Sequence, residues 1–201
     1  MIDEINVLIA GVGGQGALTL ARIMADACLK SGVHVVTGEV HGMAQRGGSV
    51  FAHLRMGKKV RGPIIPLGRA DAIISLELVE ALRYLDFLSA NGAVIVSKTQ
   101  IVPPSVWAGL GSYPDEEGVV AQYKRRSQHV YLMDSHGLAV QAGNLSTANI
   151  ALLGALAAGV ELPAKKEAVL DSIASLMPAK LRDVNRMAFE SGWQKALESK
   201  V

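Results

Sequence analysis

The sequence predicts an α/β fold, a doubly wound and mostly parallel sheet with a hairpin at its edge and extra helices toward the C-terminus. Three observations carry that prediction. An apolar strand, Ile5 to Ala10, runs directly into Gly11-Val12-Gly13-Gly14-Gln15-Gly16 and from there into a stretch of helical periodicity, which is the signature of a tight strand-to-helix turn. Short apolar runs then alternate with amphipathic ones along most of the chain. Aromatic residues make up only 4% of the sequence while glycine and alanine are plentiful, which suits close packing of helices on a sheet.

The elements follow in order. Ala17 to Ser31 is predicted as a helix, with Thr19, Arg22, Asp26 and Lys30 on a polar stripe and Ala17, Leu20, Ala21, Met24 and Cys28 opposite; Gly32 ends it. Val33 to Glu39 supplies a second strand, at the distance expected for a parallel β-α-β crossover. Val40 to Gly48 interrupts the alternation with glycines and long polar side chains and is read as a functional loop. Ser49 to Arg55 alternates as a half-buried strand, and the turn at Gly57-Lys58-Lys59 is expected to lead it into Val60 and Arg61 as an antiparallel hairpin. Ala72 to Leu76 is a short buried strand, Leu78 to Ser89 an amphipathic helix closed by Asn91-Gly92, and Ala93 to Ser97 the next strand. From Pro103 to Arg126 the pattern dissolves into Pro, Gly, Ser and charge, with a turn at Tyr113-Pro114-Asp115 and a short helix over Glu116 to Lys124. Val130 to Met133 is a further strand, after which Asp134 or Ser135 caps a short helix to Val140. Thr147 to Ala158 is a helix apolar almost all round, buried or covered by another subunit. Two more helices run from Pro163 to Leu176 and onward from Pro178. The 201 residues, half of them hydrophobic, are expected to fold as one domain, 1–201.

Composition narrows the function classes. Twenty basic against 18 acidic side chains leave a net charge of +2, and the clusters at Lys58-Lys59-Arg61 and Lys124-Arg125-Arg126 are short and lack interleaved aromatics, so no nucleic-acid partner is predicted. Asp3 and Glu4 precede a first apolar run too short to span a bilayer, so neither a signal peptide nor a membrane anchor is expected and the chain is placed in the cytoplasm. One cysteine, Cys28, cannot by itself hold an iron-sulfur cluster or a structural zinc. His34, His41, His53, His129 and His136 are scattered, so no metal site is predicted. No Ser stands in a G-x-S-x-G elbow, and Glu77 is read as a local cap, so the sequence offers no catalytic constellation.

What remains is a binding signal. Gly11, Gly13 and Gly16 meet the G-x-G-x-x-G spacing of a Rossmann-like dinucleotide site, with Glu39 at the distance of the acid that accepts from a ribose hydroxyl. A turn that binds nothing uses the same glycines, and that reading stays open. The loop after Glu39, with His41, Gln45, Arg46, Gly47 and Gly48, forms a second polar surface, and both loops are expected at the same sheet edge, where open α/β sheets collect ligands. Arg46 either clamps a phosphate or carboxylate or pins its own loop through backbone carbonyls.

Gly11 to Gly16, followed by Gly38 to Val50 around Arg46-Gly47-Gly48 and by Ala70 to Glu77, resembles the gamma-type subunit of the 2-oxoacid:ferredoxin oxidoreductases. The stretch Glu39-Val40-His41-Gly42-Met43-Ala44-Gln45 is most similar to the indolepyruvate branch. Asn144, Gly154-Ala155-Leu156, Asn185, Ala188, Phe189 and Gly192 extend the resemblance over nearly the whole chain. It implies an oxidative decarboxylation of a 2-oxoacid to an acyl-CoA with reduction of ferredoxin. Thiamine diphosphate, magnesium, iron-sulfur clusters and coenzyme A would belong to the assembled complex, with none of the cofactors held by this chain alone. The implied partners are a larger thiamine- and cluster-bearing subunit, ferredoxin through the complex, and a second copy when the chain is alone. Gly11, Gly13, Gly14, Gln15, Gly16, Glu39, His41, Gln45, Arg46, Gly47 and Gly48 would then lie near the thiamine or coenzyme A region. The competing expectations are a stand-alone nucleotide-binding protein or nicotinamide oxidoreductase, and a structural homodimer whose loops bind nothing.

Overall fold

In the computed structural model, residues 3–41 and 47–199 are described, His41 by its backbone alone. Six strands form one sheet in the order β2-β3-β1-β4-β5-β6: β1 (Ile5–Val12), β2 (Val35–His41), β3 (Ser49–Met56), β4 (Ala70–Ser75), β5 (Leu88–Ser97) and β6 (His129–Met133). β1, β4, β5 and β6 pair in parallel, while β3 runs antiparallel to both β1 and β2. Successive side chains on a strand point to opposite faces, and in β1, β4 and the second half of β5 both faces are buried, so these strands read as continuous apolar runs. Val7, Ile9, Ile74 and Ile95 face one core, covered by α1 (Ala17–Lys30), α5 (Ala148–Gly159), α6 (Lys166–Leu176) and α7 (Arg182–Glu198). Leu8, Ile73, Val94 and Val96 face the other, covered by a 3-10 helix (Glu80–Phe87) and α3 (Glu116–Arg126). The remaining described elements are two short α-helices, α2 (Pro104–Trp107) and α4 (Ser135–Gln141), and two single-turn 3-10 helices, Leu145–Thr147 and Ala179–Leu181.

Three expectations are corrected. The β1-α1-β2 crossover exists, but β3 inserts between β1 and β2, so the two strands are not hydrogen-bonded neighbours. The hairpin partner of β3 is accordingly β2, and Val60-Arg61 forms no strand. The stretch Leu78 to Ser89 is not an α-helix: a 3-10 helix ends at Phe87, and β5 begins at Leu88 and includes Asn91-Gly92. The packing explains the change of helix type. Residues three apart eclipse one another on a 3-10 helix, and Ala81, Tyr84 and Phe87 share that line. It carries Tyr84 onto Phe51, with ring centroids 4.6 Å apart, and Phe87 onto His53 at 5.6 Å.

The apolar helix α5 is buried within the chain, residues Ile150 to Leu156 all being inaccessible. Gly154 and Gly192 make this possible: a Cβ on either would collide with a backbone carbonyl across the α5–α7 crossing, Phe189 O for the first and Ala151 O for the second. The surface on which self-association through this helix rested is therefore already covered by α7, α1 and the sheet. Overpacked helix crossings cost about 1–3 kcal/mol. Gly192→Ala should lower the melting temperature by that equivalent, whereas Gly111→Ala, where an added Cβ meets open space, should leave it nearly unchanged.

His53 is 2% exposed among Phe51, Phe87 and Ile65, and its Nδ1 accepts from the Ile65 amide at 3.4 Å. Burial, assisted by the Arg55 charge, lowers its pKa below the ordinary histidine value. The unfolded chain then takes up the proton first, so stability is full above about pH 6.5 and falls as pH drops below it. Thermal melts between pH 7.5 and 5.5 should show this decline, and His53→Gln should flatten it.

Candidate functional site

The glycine turn after β1 is built as a braced loop. The Gln15 side chain folds back under it, its Oε1 accepting from Val12 N at 2.8 Å and its Nε2 donating to Leu76 O at 2.8 Å, so one carboxamide ties the end of β1 to the end of β4. Gly14 and Gly16 have φ of 103° and 88°, left-handed conformations that glycine adopts without a Cβ penalty. Gly16 is doubly constrained, because a Cβ there would also collide with the Asn149 amide, which donates to Gly16 O at 3.4 Å. Gly16 is the N-cap residue of α1, with no side-chain cap, which leaves the first-turn amides of that helix facing the loop mouth.

Beyond this turn lies a cleft of about 370 Å³. Its position follows from topology. The chain leaves β1 for the α1 face and leaves β4 for the opposite face, and crevices open where such crossovers diverge, beyond the carboxyl ends of the strands. Gly14, Gln15 and Leu76 form one wall, Thr99, Gln100 and Ile101 after β5 the floor, and Ser135, His136, Ser146 and Asn149 the far wall, with Leu145, Ala148 and Leu152 as apolar lining. No Asp, Glu, Lys or Arg is among these residues. The turn that opens α1 borders the cleft with its first-turn amides uncapped, whereas the neighbouring α4 N-terminus already holds the Asp134 carboxylate and Ile101 N on the floor donates to Glu77. The uncapped start of α1 favours an anion, a phosphate group in particular. The floor is fixed by a hydroxyl chain, Ser97 Oγ lying 2.7 Å from both Thr99 Oγ1 and Ser135 Oγ.

The structure brings some of the sequence-predicted residues together and separates others. Gly13 N donates to Gly48 O at 2.8 Å, so the two glycine loops touch and Gly11, Gly13, Gly14, Gln15, Gly16, Gly47 and Gly48 form one corner of the sheet. Ser49 anchors that corner from the other face, donating to Glu80 Oε2 at 2.5 Å and lying 3.0 Å from Tyr84 OH. Gln45 and Arg46 lie outside the described residues, as does the side chain of His41. Glu39 is not brought to the glycine turn. It pairs with Ala52, which pairs with Ile9, so it sits two strand spacings away, about 10 Å, and level with the middle of β1. It instead borders a surface groove with Thr37 and Arg22, which removes the acid of the dinucleotide fingerprint from its place beside the turn.

Thr99, Gln100, Ser135, His136, Ser146 and Asn149 were not singled out as cleft residues by sequence. They come from three separate segments and match no spacing pattern. Of the caps that deliver them, Asp134 is one of the two the sequence offers, and it accepts from Gly137 N at 2.9 Å; Asn144, which accepts from Ser146 N at 3.0 Å, is a cap the sequence reading missed. Glu77, expected as a local cap, does accept from Val79 N at 2.7 Å and Glu80 N at 3.0 Å, but it also accepts from Ile101 N at 3.1 Å and from Tyr113 OH. Cys28 is buried on α1 and burial pushes its thiol pKa up to about 12, so it is neither nucleophile nor thiolate ligand. None of the described helices is long and apolar enough to cross a membrane.

Residues 6–195 match the family model described as pyruvate ferredoxin/flavodoxin oxidoreductase. The indolepyruvate oxidoreductase subunit IorB of Archaeoglobus fulgidus is 40% identical over 98% of both chains. Among solved structures, the gamma subunit of a keto/oxoacid ferredoxin oxidoreductase from Geobacter sulfurreducens superposes with a TM-score of 0.71 at 24% identity, covering 96% of this chain and 99% of that one. The 2-oxoglutarate:ferredoxin oxidoreductase of Magnetococcus marinus, solved with 2-oxoglutarate, coenzyme A and succinyl-CoA bound, gives 0.74 at 17% identity over 98% of this chain and 32% of that longer one. The family-model match over residues 6–195 and the full-length similarity at 40% identity lead to one assignment: the chain belongs to the pyruvate ferredoxin/flavodoxin oxidoreductase family, as a subunit of an oxoacid:ferredoxin oxidoreductase.

Proposed function

We propose that the chain is the single-domain, non-cofactor-bearing subunit of a cytoplasmic indolepyruvate-type ferredoxin oxidoreductase, and that its cleft and paired glycine loops hold the anionic part of coenzyme A against the active site of a larger partner subunit. The observation that carries this reading is the cleft at the β1–β4 divergence, whose lining holds no Asp, Glu, Lys or Arg and which the uncapped first turn of α1 borders. A phosphate fits that chemistry: the amides of Gly14, Gly16 and the uncapped first turn of α1 are donors, and the residues lining the cleft include no carboxylate. The relative named as an indolepyruvate oxidoreductase subunit supports the substrate class, and the neighbour solved with coenzyme A and succinyl-CoA supports the ligand class. Thiamine diphosphate, magnesium and iron-sulfur clusters on the partner would supply the decarboxylation chemistry and the path of electrons to ferredoxin. This chain's own part is binding and orientation, which is what well-placed donors without an acid-base pair can provide.

A stand-alone nicotinamide oxidoreductase fits less well, because β3 separates Glu39 from the glycine turn.

Within this reading Arg46, next in sequence to Gly47-Gly48, is assigned to bind the anion; Gly48 O accepts from Gly13 N of the glycine turn. Reconstituted with the larger subunit, Arg46→Ala should lose about 2 to 4 kcal/mol in coenzyme A binding or assembly, as for truncation of one member of a buried charged pair. Its melting temperature should change little. Arg46→Lys should recover only part of the loss if the contact is a bidentate fork. The measurements are complex affinity, the apparent KM for coenzyme A and thermal stability, with the chain alone as the inactive control. A variant Arg46→Ala that turns over normally but melts much earlier would show the arginine merely pinning its loop.

A further inference from the structure

The stretch between β5 and α3 carries a feature that neither the cleft nor the fold requires. From Thr99 to Pro114 the sequence contains no Asp, Glu, Lys or Arg, in a chain that is 19% charged. This stretch is nevertheless largely at the surface, and it holds two of the most exposed large apolar side chains, Trp107 and Leu110, each 81% accessible. Single exposed leucines are ordinary on protein surfaces. An exposed tryptophan with a leucine three residues on, in a charge-free stretch, is the composition of an interface centre, where tryptophan is enriched and charge depleted.

The geometry makes this segment a built knob. Pro103 is the N-cap residue and Pro104 opens α2, and the turn closes with Leu110 N donating to Ser105 O at 2.9 Å and Gly109 N to Val106 O at 3.0 Å, a complete helix-ending motif around Gly109. Both ends are fastened to one buried carboxylate. Glu77, 2% exposed, accepts from Ile101 N at the start of the excursion and from Tyr113 OH at its end, while Leu78 N donates to Thr99 O at 2.8 Å. Trp107 and Leu110 are thus presented to solvent on a pre-ordered support, which lowers the entropy cost of docking.

We propose that this knob, Trp107 with Leu110, is the anchor by which the chain docks its larger partner subunit. The inference rests on the reading given under Proposed function, and its location argues for that occupant. Thr99, Gln100 and Ile101 line the cleft, and the chain passes from them within six residues into the knob, so a subunit seated on the cleft has the knob as the nearest exposed apolar anchor along the chain. The fold's occurrence as about a third of a longer oxidoreductase chain agrees with a requirement for such a neighbour. Glu77 and Tyr113 act as positioning residues.

The test uses the full chain and the separately purified larger subunit. Trp107→Ala should weaken their association roughly tenfold or more, and the pair Trp107→Ala with Leu110→Ser further still, with melting temperatures of the free chain near wild type. Leu29→Ser, at an apolar side chain 64% exposed on α1, should bind as wild type. With Trp193→Phe leaving Trp107 as the sole tryptophan, its emission should shift to the blue on assembly. Tyr113→Phe should weaken binding less than Trp107→Ala while raising amide exchange across residues 102–112 in the free chain. A wild type that ignores the larger subunit overturns the subunit reading and this inference together. A wild type that assembles, with the double variant assembling equally well and Trp107 emission unmoved, overturns the knob alone.

Discussion

The site depends on one divergence of the backbone, at the ends of β1 and β4. These strands pair in parallel through Val7 to Ala10 and Ala72 to Ser75, and the ladder extends one step further where Leu76 N donates to Ala10 O at 2.9 Å. The chain then departs to opposite faces of the sheet, opening a crevice that hydrophobic packing cannot fill without burying backbone amides. Gln15 spans the gap. Its carboxamide satisfies one group on each strand end, Val12 N and Leu76 O, and so keeps the glycine turn upright with its amides directed outward. An apolar residue at that position would leave two polar groups unpaired at the crevice floor, each costing about 1–3 kcal/mol.

The insertion of β3 explains why the acid of the dinucleotide fingerprint does not stand beside the glycine turn in the fold. Glycine spacing reports only the local turn, which forms as the spacing predicts. The position of the downstream acid depends on which strand lies beside β1, and that is a long-range choice. Here β2 and β3 fold as a hairpin, and β3, with Ala52, Leu54 and Met56 buried toward α1 and Phe51 and His53 packed on the 3-10 helix, outcompetes β2 for the place beside β1. β2 is left on the outside with Thr37 and Glu39 exposed.

The fold was legible where periodicity is local. The amphipathic stripe of α1, the apolar strands β1, β4 and β6, the Asp134 cap of α4 and the apolar run of α5 all stand close to where the residue pattern puts them. Strand order was not, because nothing in a strand's own alternation names its neighbour. The helix type after Glu77 was not either: Leu82, Leu85 and Leu88 fit a 3.6-residue stripe on paper, but the aromatic contacts of Tyr84 and Phe87 select a three-residue repeat. At the site, the glycine turn was visible in the sequence, and its contact with Gly48 was foreseen as a shared edge. Thr99, Ser135 and Asn149 were invisible because only the sheet brings their segments together. Whether α5 was covered by its own chain or by a partner turned on Gly154 and Gly192, whose use as a crossing point needs α7 beside them.

On the proposed function the crevice at the β1–β4 divergence, and not the Glu39 groove, receives the phosphate-bearing ligand of this chain. Two-dimensional NMR titration of the isotopically labelled chain with coenzyme A measures this directly, since amide shifts report even millimolar binding. On this reading saturable shifts are expected at Gly14, Gly16, Ala17 and Asn149, with Thr37 and Glu39 unmoved. Shifts centred on Thr37, Glu39 and Arg22 on addition of a nicotinamide dinucleotide, with the glycine-turn amides silent toward coenzyme A, would contradict it.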